Sequence, residues 1–167
     1  MAGGGAALRR RPRPAALRPR PARVYPPRIA ATALDDTIRN LLSTPLTWAV
    51  VGCSPSPYRD SHRIAALLQG RGNRIVPVNP QAAGAEIHGE RCVASLDEVG
   101  ERVDVVDIFR RADAAGAHVD EAIAIGARAV WMQLGVIDSA AADRARAAGL
   151  EVVMDRCPAI EVRRLGL

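Results

Sequence analysis

The residues with the most chemistry to offer lie together in VVGCSPSPYRDSHR, residues 50–63. An apolar run ends in Gly52, a loop of small residues and Pro follows, and helical spacing begins near Asp60. Gly52 lets the backbone turn sharply off a strand. Ser54 and Ser56 offer hydroxyl groups, Asp60 or Ser61 is placed to cap the helix, and the free N–H groups at a helix start attract an anion. Arg59, His62 and Arg63 crowd the same turn, where each cation opposes the helix dipole by about 0.3–1 kcal/mol. A bound polyanion reverses that sign. The competing account is that these side chains point to water and pair with Asp60.

The two commonest phosphate loops fit badly. A dinucleotide fingerprint needs two further Gly and an acid at the end of the second strand, and that strand ends in Val78-Asn79-Pro80. A P-loop needs Lys, and the chain has none. A nicotinamide-dependent oxidoreductase is disfavoured on these grounds. Elsewhere, Gln133 is polar at a strand's carboxyl end, which makes it a site candidate, whereas Trp131 beside it reads as packing. Phe109, the only Phe, reads as core at a strand end. Asp104 and Asp107 are three apart in a strand, hence on opposite faces, and form no carboxylate pair; Asp107 is expected to cap a loop or bond backbone. Cys157 precedes a Pro that can open a helix, and Cys53 adjoins the turn. A thiol so placed has a lowered pKa, but a small buried residue is the simpler account of both. No Ser/His/Asp or Cys/His array is legible, and none of the Cys or His has metal spacing.

These groups need a scaffold, and the chain supplies alternating patterns. Continuous apolar runs at 47–52, 74–79, 103–109, 129–135 and 150–155 read as strands buried on both faces. Helical spacing is predicted over 33–42, 61–72, 113–127 and 138–149, with a capping box at Ser95 and Glu98 and a short helix in the tail after Arg156. Ile64, Leu67 and Leu68 share one face of the second helix, which Gly70 and Gly72 stop. Pro77 is awkward inside a ladder and suggests that pairing lapses there. A short strand is expected near 91–93. The pattern implies an α/β fold: a Rossmann-like three-layer domain with a mostly parallel sheet and helices on both faces. Ligands of such sheets bind beyond the carboxyl ends of the strands.

Taken together, VVGCSPSPYRDSHRIAALLQGRGNRIVPVNP, VDVVDIFRR, AIAIGARAVWMQLGV and GLEVVMDRCP resemble the small stand-alone CoA-binding proteins, whose domain is similar to the CoA-binding domain of succinyl-CoA synthetase alpha subunits. The resemblance runs from about Thr47 to Ile160. It implies that the ligand is coenzyme A or an acyl-CoA. It implies that the turn Gly52, Cys53, Ser54 and Pro55, with Ser56 and Ser61, holds the pyrophosphate, and that Arg59 and Arg63 reach the phosphates. Asn79 and Pro80 would lie beside the adenosine, and Phe109 and Arg110 along the ligand. The synthetase version has a Gly-rich loop and a Lys for the 3′-phosphate; here Arg must serve. The implied role is binding without catalysis of its own, or service as the CoA-binding subunit of an acyl-CoA synthetase with a partner supplying the second domain.

Composition bounds the rest. The 167 residues suffice for one domain with a core. No run reaches the roughly 18 apolar residues of a membrane span. Residues 1–28 carry eight Arg, six Pro and no acid, and read as a disordered tail ahead of a domain over 29–167, with a start codon assigned too far upstream as the plain account. The remaining fifteen Arg face eighteen acids, a net −3, so the folded part lacks the basic balance of a nucleic-acid-binding domain. Three Cys, an odd number, and no apolar leader point to a reducing, cytoplasmic setting.

Overall fold

The computed structural model describes residues 34–167, so the Arg- and Pro-rich segment 1–28 lies outside the described residues. The elements in chain order are α1 (Leu34–Ser43), β1 (Thr47–Val51), α2 (Asp60–Gly70), β2 (Arg74–Val78), β3 (Glu86–Ile87), β4 (Glu90–Arg91), β5 (Val105–Ile108), α3 (Ala112–Ala124), β6 (Ala129–Met132), α4 (Ser139–Ala147), β7 (Glu151–Val153) and α5 (Pro158–Leu165). Short 3₁₀ turns occupy Pro80–Ala82 and Leu96–Glu98.

Five strands form one parallel sheet in the order β2-β1-β5-β6-β7. The chain starts at β1, steps outward to β2, then crosses back to the other side of β1 at β5. That reversal is the topological switch point of a doubly wound sheet, and ligands bind in the crevice it opens. The strands read as unbroken apolar runs because alternate residues enter two separate cores. Trp48, Val50, Ile75, Val105 and Trp131 meet α1, α2 and α5 on one face. Ala49, Val51, Val76, Val106, Ile108 and Met132 meet α3 and α4 on the other. The Trp48 and Trp131 rings pack tilted at 50°, with centroids 5.8 Å apart, and Trp131 Nε1 donates to the Arg156 carbonyl at 2.8 Å.

The structure corrects three local expectations. Pairing does not lapse at Pro77, which lies opposite Val50 in the β1–β2 register. β2 is an edge strand, and the Pro77 carbonyl points outward to accept from Val93 N at 3.0 Å. The N–H that proline lacks therefore belongs on the outer side, where no neighbouring sheet strand needs it. The capping box does not form, because Glu98 reaches the residue before the N-cap. Glu98 accepts from Ala94 N at 3.1 Å, whereas Ser95 makes no side-chain cap bond. The β3–β4 hairpin was not foreseen. His88 and Gly89 take φ of 54° and 79° in its two-residue turn, and His88 Nε2 meets the His62 carbonyl at 2.8 Å, pinning the hairpin to α2.

Candidate functional site

The turn after β1 lies at the switch point, and several bonds hold it there. Gly52 has φ of +82° and donates to the Val78 carbonyl at 2.8 Å. A Cβ at this position would lie 2.5 Å from the Phe109 carbonyl oxygen, so the ends of β1 and β5 approach as only Gly allows. Ser61 Oγ accepts from Ser54 N at 3.1 Å, and Ser54 Oγ accepts from Ser56 N at 3.2 Å. Asn79 clamps the turn from the end of β2: its Nδ2 donates to the Cys53 carbonyl at 2.9 Å, and its Oδ1 accepts from Gln81 N at 3.0 Å. Asn79 is therefore a brace between two loops, a role that the dipeptide Asn-Pro alone did not disclose.

Neither Asp60 nor Ser61 caps α2. Arg59 occupies the N-cap position with extended backbone and no side-chain cap bond. Asp60 falls inside the helix, and the Ser61 hydroxyl is engaged by the turn. By contrast, α4 is capped in the usual way, Asp138 accepting from Ala141 N at 2.9 Å. The start of α2 thus keeps its donors uncapped beside the Ser54–Ser56 turn. Pro55 is exposed on that turn, and Ser54 and Ser56 are half-buried. Arg63 pairs with Asp60 on the surface, as the competing account had it. Arg59, Arg110 and Arg163 have no ion-pair partner among the described residues.

Two clefts flank the switch point. A smaller one of about 350 Å³ lies over the ends of β1 and β2 and is lined by Gly52, Val78, Pro80, Ser95, Arg110, His118 and Glu121. A larger one of about 850 Å³ lies toward α2 and α5 and is lined by Arg63, Ile64, Phe109, Arg110, Gln133, Leu134, Cys157, Ile160 and Arg163, among others. Arg110 borders both. The structure thus brings Gly52, Arg63, Pro80, Phe109, Arg110 and Gln133 onto cleft walls, with Arg59 exposed at the start of α2. Ser95 and His118 on one side, and Ile160 and Arg163 on the other, had no sequence signal as site residues, because each comes from an element distant in the chain. The one available hint was position after a strand's carboxyl end, which Leu134 shares with Gln133.

Cys53 is corrected. It is fully buried among the core residues under α2, so it supports the turn from beneath. Burial, then the neighbouring Cys92 and Asp107, push its thiol up to about 12, the opposite of an activated cysteine. Cys92 is also buried and raised by that burial. Cys157 stands at the N-cap of α5, with Pro158 opening the helix as expected, and lines the larger cleft. Asp107 is corrected too. It caps no loop: it is wholly buried in β5, and Gln133 Nε2 donates to its Oδ1 at 2.7 Å while Oδ2 has no partner among the described residues. Burial raises this carboxyl to about 7, and the Gln133 bond pulls it back only in part.

No helix among the described residues is long and apolar enough to cross a membrane. The sequence matches the CoA-binding domain family over residues 46–163. It is 33% identical over 120 residues to the uncharacterized protein YneT of Bacillus subtilis, covering 72% of this chain and 87% of that one. The solved structure of cell-free ID.343 from Thermus thermophilus superposes with a TM-score of 0.74 at 38% identity, covering 78% of this chain and 98% of that one. A dinucleotide-forming acetyl-coenzyme A synthetase of Ca. Korarchaeum cryptofilum shares the fold at a TM-score of 0.59 and 22% identity, over 71% of this chain and 27% of the synthetase.

Proposed function

This chain belongs to the CoA-binding domain family, and on that premise we propose that it binds coenzyme A or an acyl-CoA across its switch point, without catalysis of its own. One observation carries the placement: an uncapped helix start and a Ser-lined turn lie between two clefts that share Arg110. The pyrophosphate occupies the Gly52–Ser56 turn at the start of α2, where N–H groups and the helix dipole favour an anion. The uncapped N–H groups of the first turn of α2 do the binding there, since Gly52 N, Ser54 N, Ser56 N, Ser61 Oγ and Asn79 are already committed to shaping the loop. Arg59 and Arg63 bring the charge that offsets the phosphates.

The adenosine fits the smaller cleft beside Pro80 and Ser95, next to the Asn79 brace. The pantetheine arm then follows Phe109 and Arg110 into the larger cleft, toward Gln133. Leu134 and Ile160, 55% and 49% exposed at its wall, are an apolar surface for the thiol end or a short acyl group. With no Lys in the chain, the 3′-phosphate falls to an Arg, and unpaired Arg59 is the candidate. Residues 1–28 have no part in this reading.

Isothermal titration with CoA tests it. A charge-assisted hydrogen bond contributes about 1.5–3 kcal/mol, so the double substitution Arg59→Ala and Arg63→Ala should weaken CoA by about tenfold or more. Binding by the wild-type chain should also weaken with salt. Unchanged affinity in the double variant overturns the placement at the start of α2.

A further inference from the structure

Inside the larger cleft, one polar contact has its direction dictated by a group the ligand never touches. Asp107 lies in β5, the central strand of the sheet, on the face covered by α2 and α5. It is wholly buried, and the one hydrogen bond to its side chain among the described residues comes from Gln133 Nε2, at 2.7 Å. An ionised carboxylate can only accept, so the Gln133 amide must turn its NH₂ inward. Its other end, Oε1, makes no hydrogen bond among the described residues and is not among their sealed, unpartnered atoms. Gln133 lines the cleft.

We propose that Asp107 is a positioning residue that locks Gln133 as a hydrogen-bond acceptor facing the cleft, so that the site selects an N–H donor, and in CoA a secondary amide of the pantetheine arm. This rests on the proposed CoA binding. An acceptor oxygen there disfavours a phosphate and favours an amide, which gives the two ends of the ligand opposite polar partners. Burial raises the Asp107 carboxyl to about 7. When it takes a proton from solvent it becomes a donor, the Gln133 amide can reverse, and the cleft is offered NH₂ in place of C=O.

Of the other titratable and charged groups on the covering elements, most are paired with one another, His62 of α2 is held below its ordinary pKa by burial and the His88 ring, and Arg163 shares the cleft wall without an ion-pair partner among the described residues. Cys53, after β1, is a thiol raised to about 12. From α2, Arg63 pairs with Asp60. From α5, buried Glu161 is held by Arg156 and Arg164, while Cys157 and Arg163 line the cleft. From α1, Asp35 pairs with Arg164, and Arg39 donates to the Leu165 carbonyl.

The test is CoA titration of the full chain and of Gln133→Met from about pH 6 to about pH 8.5, either side of the Asp107 midpoint. Phosphate titration is common to both proteins, so the ratio of their affinities isolates the amide. One neutral hydrogen bond corresponds to about 3- to 10-fold. The wild type should bind that much more tightly at the high end, and the advantage should shrink toward the low end. In Asp107→Asn the pH dependence of that advantage should vanish. Should Asp107→Asn not fold, the wild type alone still decides. In ¹⁵N-labelled protein, the side-chain NH₂ resonance missing from Gln133→Met should shift with a midpoint near 7. A ratio constant with pH, or an NH₂ resonance that ignores pH, overturns the proposal while leaving CoA binding intact. No CoA binding by the wild type overturns the proposed function, and this inference with it.

Discussion

Replacing Gly52 by Ala tests the close approach on which the whole site depends. The residue has φ of +82°, and the added Cβ would meet the Phe109 carbonyl oxygen at 2.5 Å and Arg110 Cδ at 3.2 Å. The left-handed backbone costs an Ala about 1–2 kcal/mol. The contact with Phe109 cannot relax cheaply, because it is backbone against backbone. Phe109 N donates to the Val51 carbonyl at 2.9 Å and Gly52 N to the Val78 carbonyl at 2.8 Å, fixing both sides. Forcing an extra methyl into such packing costs about 1–3 kcal/mol more. The sum is about 2–5 kcal/mol, which for a domain of this size lowers Tm on the order of 10 °C. Gly126 is the control. Its φ is +69°, and nothing lies within 4 Å of a Cβ there, so Gly126→Ala carries the backbone strain alone. Thermal melts followed by circular dichroism should rank wild type, Gly126→Ala and Gly52→Ala in falling order, and at a temperature where all are folded CoA should bind Gly52→Ala least well. If the two variants melt within a degree or two of each other, the β1–β5 approach is not what Gly52 is there for.

Two further predictions concern buried acids and thiols. The folded carboxyl of Asp107, at about 7, lies above its ordinary 3.8, so its contribution to stability is full below about pH 4 and is lost as pH rises toward 7. Between about pH 5 and pH 7 the wild type should lose roughly 2–3 kcal/mol that Asp107→Asn does not lose; urea melts at both values measure this, and parallel pH profiles would refute it. Of the three Cys, 53 and 92 are buried and only Cys157 lines a cleft. A chromogenic disulfide reagent should therefore titrate a single thiol on the native fold, lost in Cys157→Ser and slowed by acetyl-CoA, whose own sulfur is blocked, whereas three reacting thiols would contradict the burial.

What could be read from the order of residues was what local chemistry decides. Strand and helix alternation was legible because an apolar run such as TWAVV or a spacing such as Ile38, Leu41 and Leu42 reflects the period of one element and the faces it buries. The Gly52–Ser56 turn was legible for the same reason: a strand end, a Gly and a helix start are neighbours in the chain. Pro158 at the start of α5 and Asp138 at the start of α4 were equally local signals.

Tertiary structure decided everything that depended on which element lies beside which. Pro77 is harmless only because β2 is an edge strand, and the order of strands appears in no single strand. Ser61 and Asn79, which the resemblance sets beside the ligand, also brace the turn, through partners seven and twenty-six residues away. For Cys53 the sequence left a thiol at a helix start beside the simpler account of a small buried residue, and the fold decides for the second, burying it completely and raising its pKa. Asp107 and Gln133 are twenty-six residues apart and meet because β5 and β6 are neighbours. Burial and through-space pairing set both the charge on that carboxyl and the direction of that amide. Neither quantity exists until the strands are assembled, because the dielectric around a group is a property of its neighbours in space.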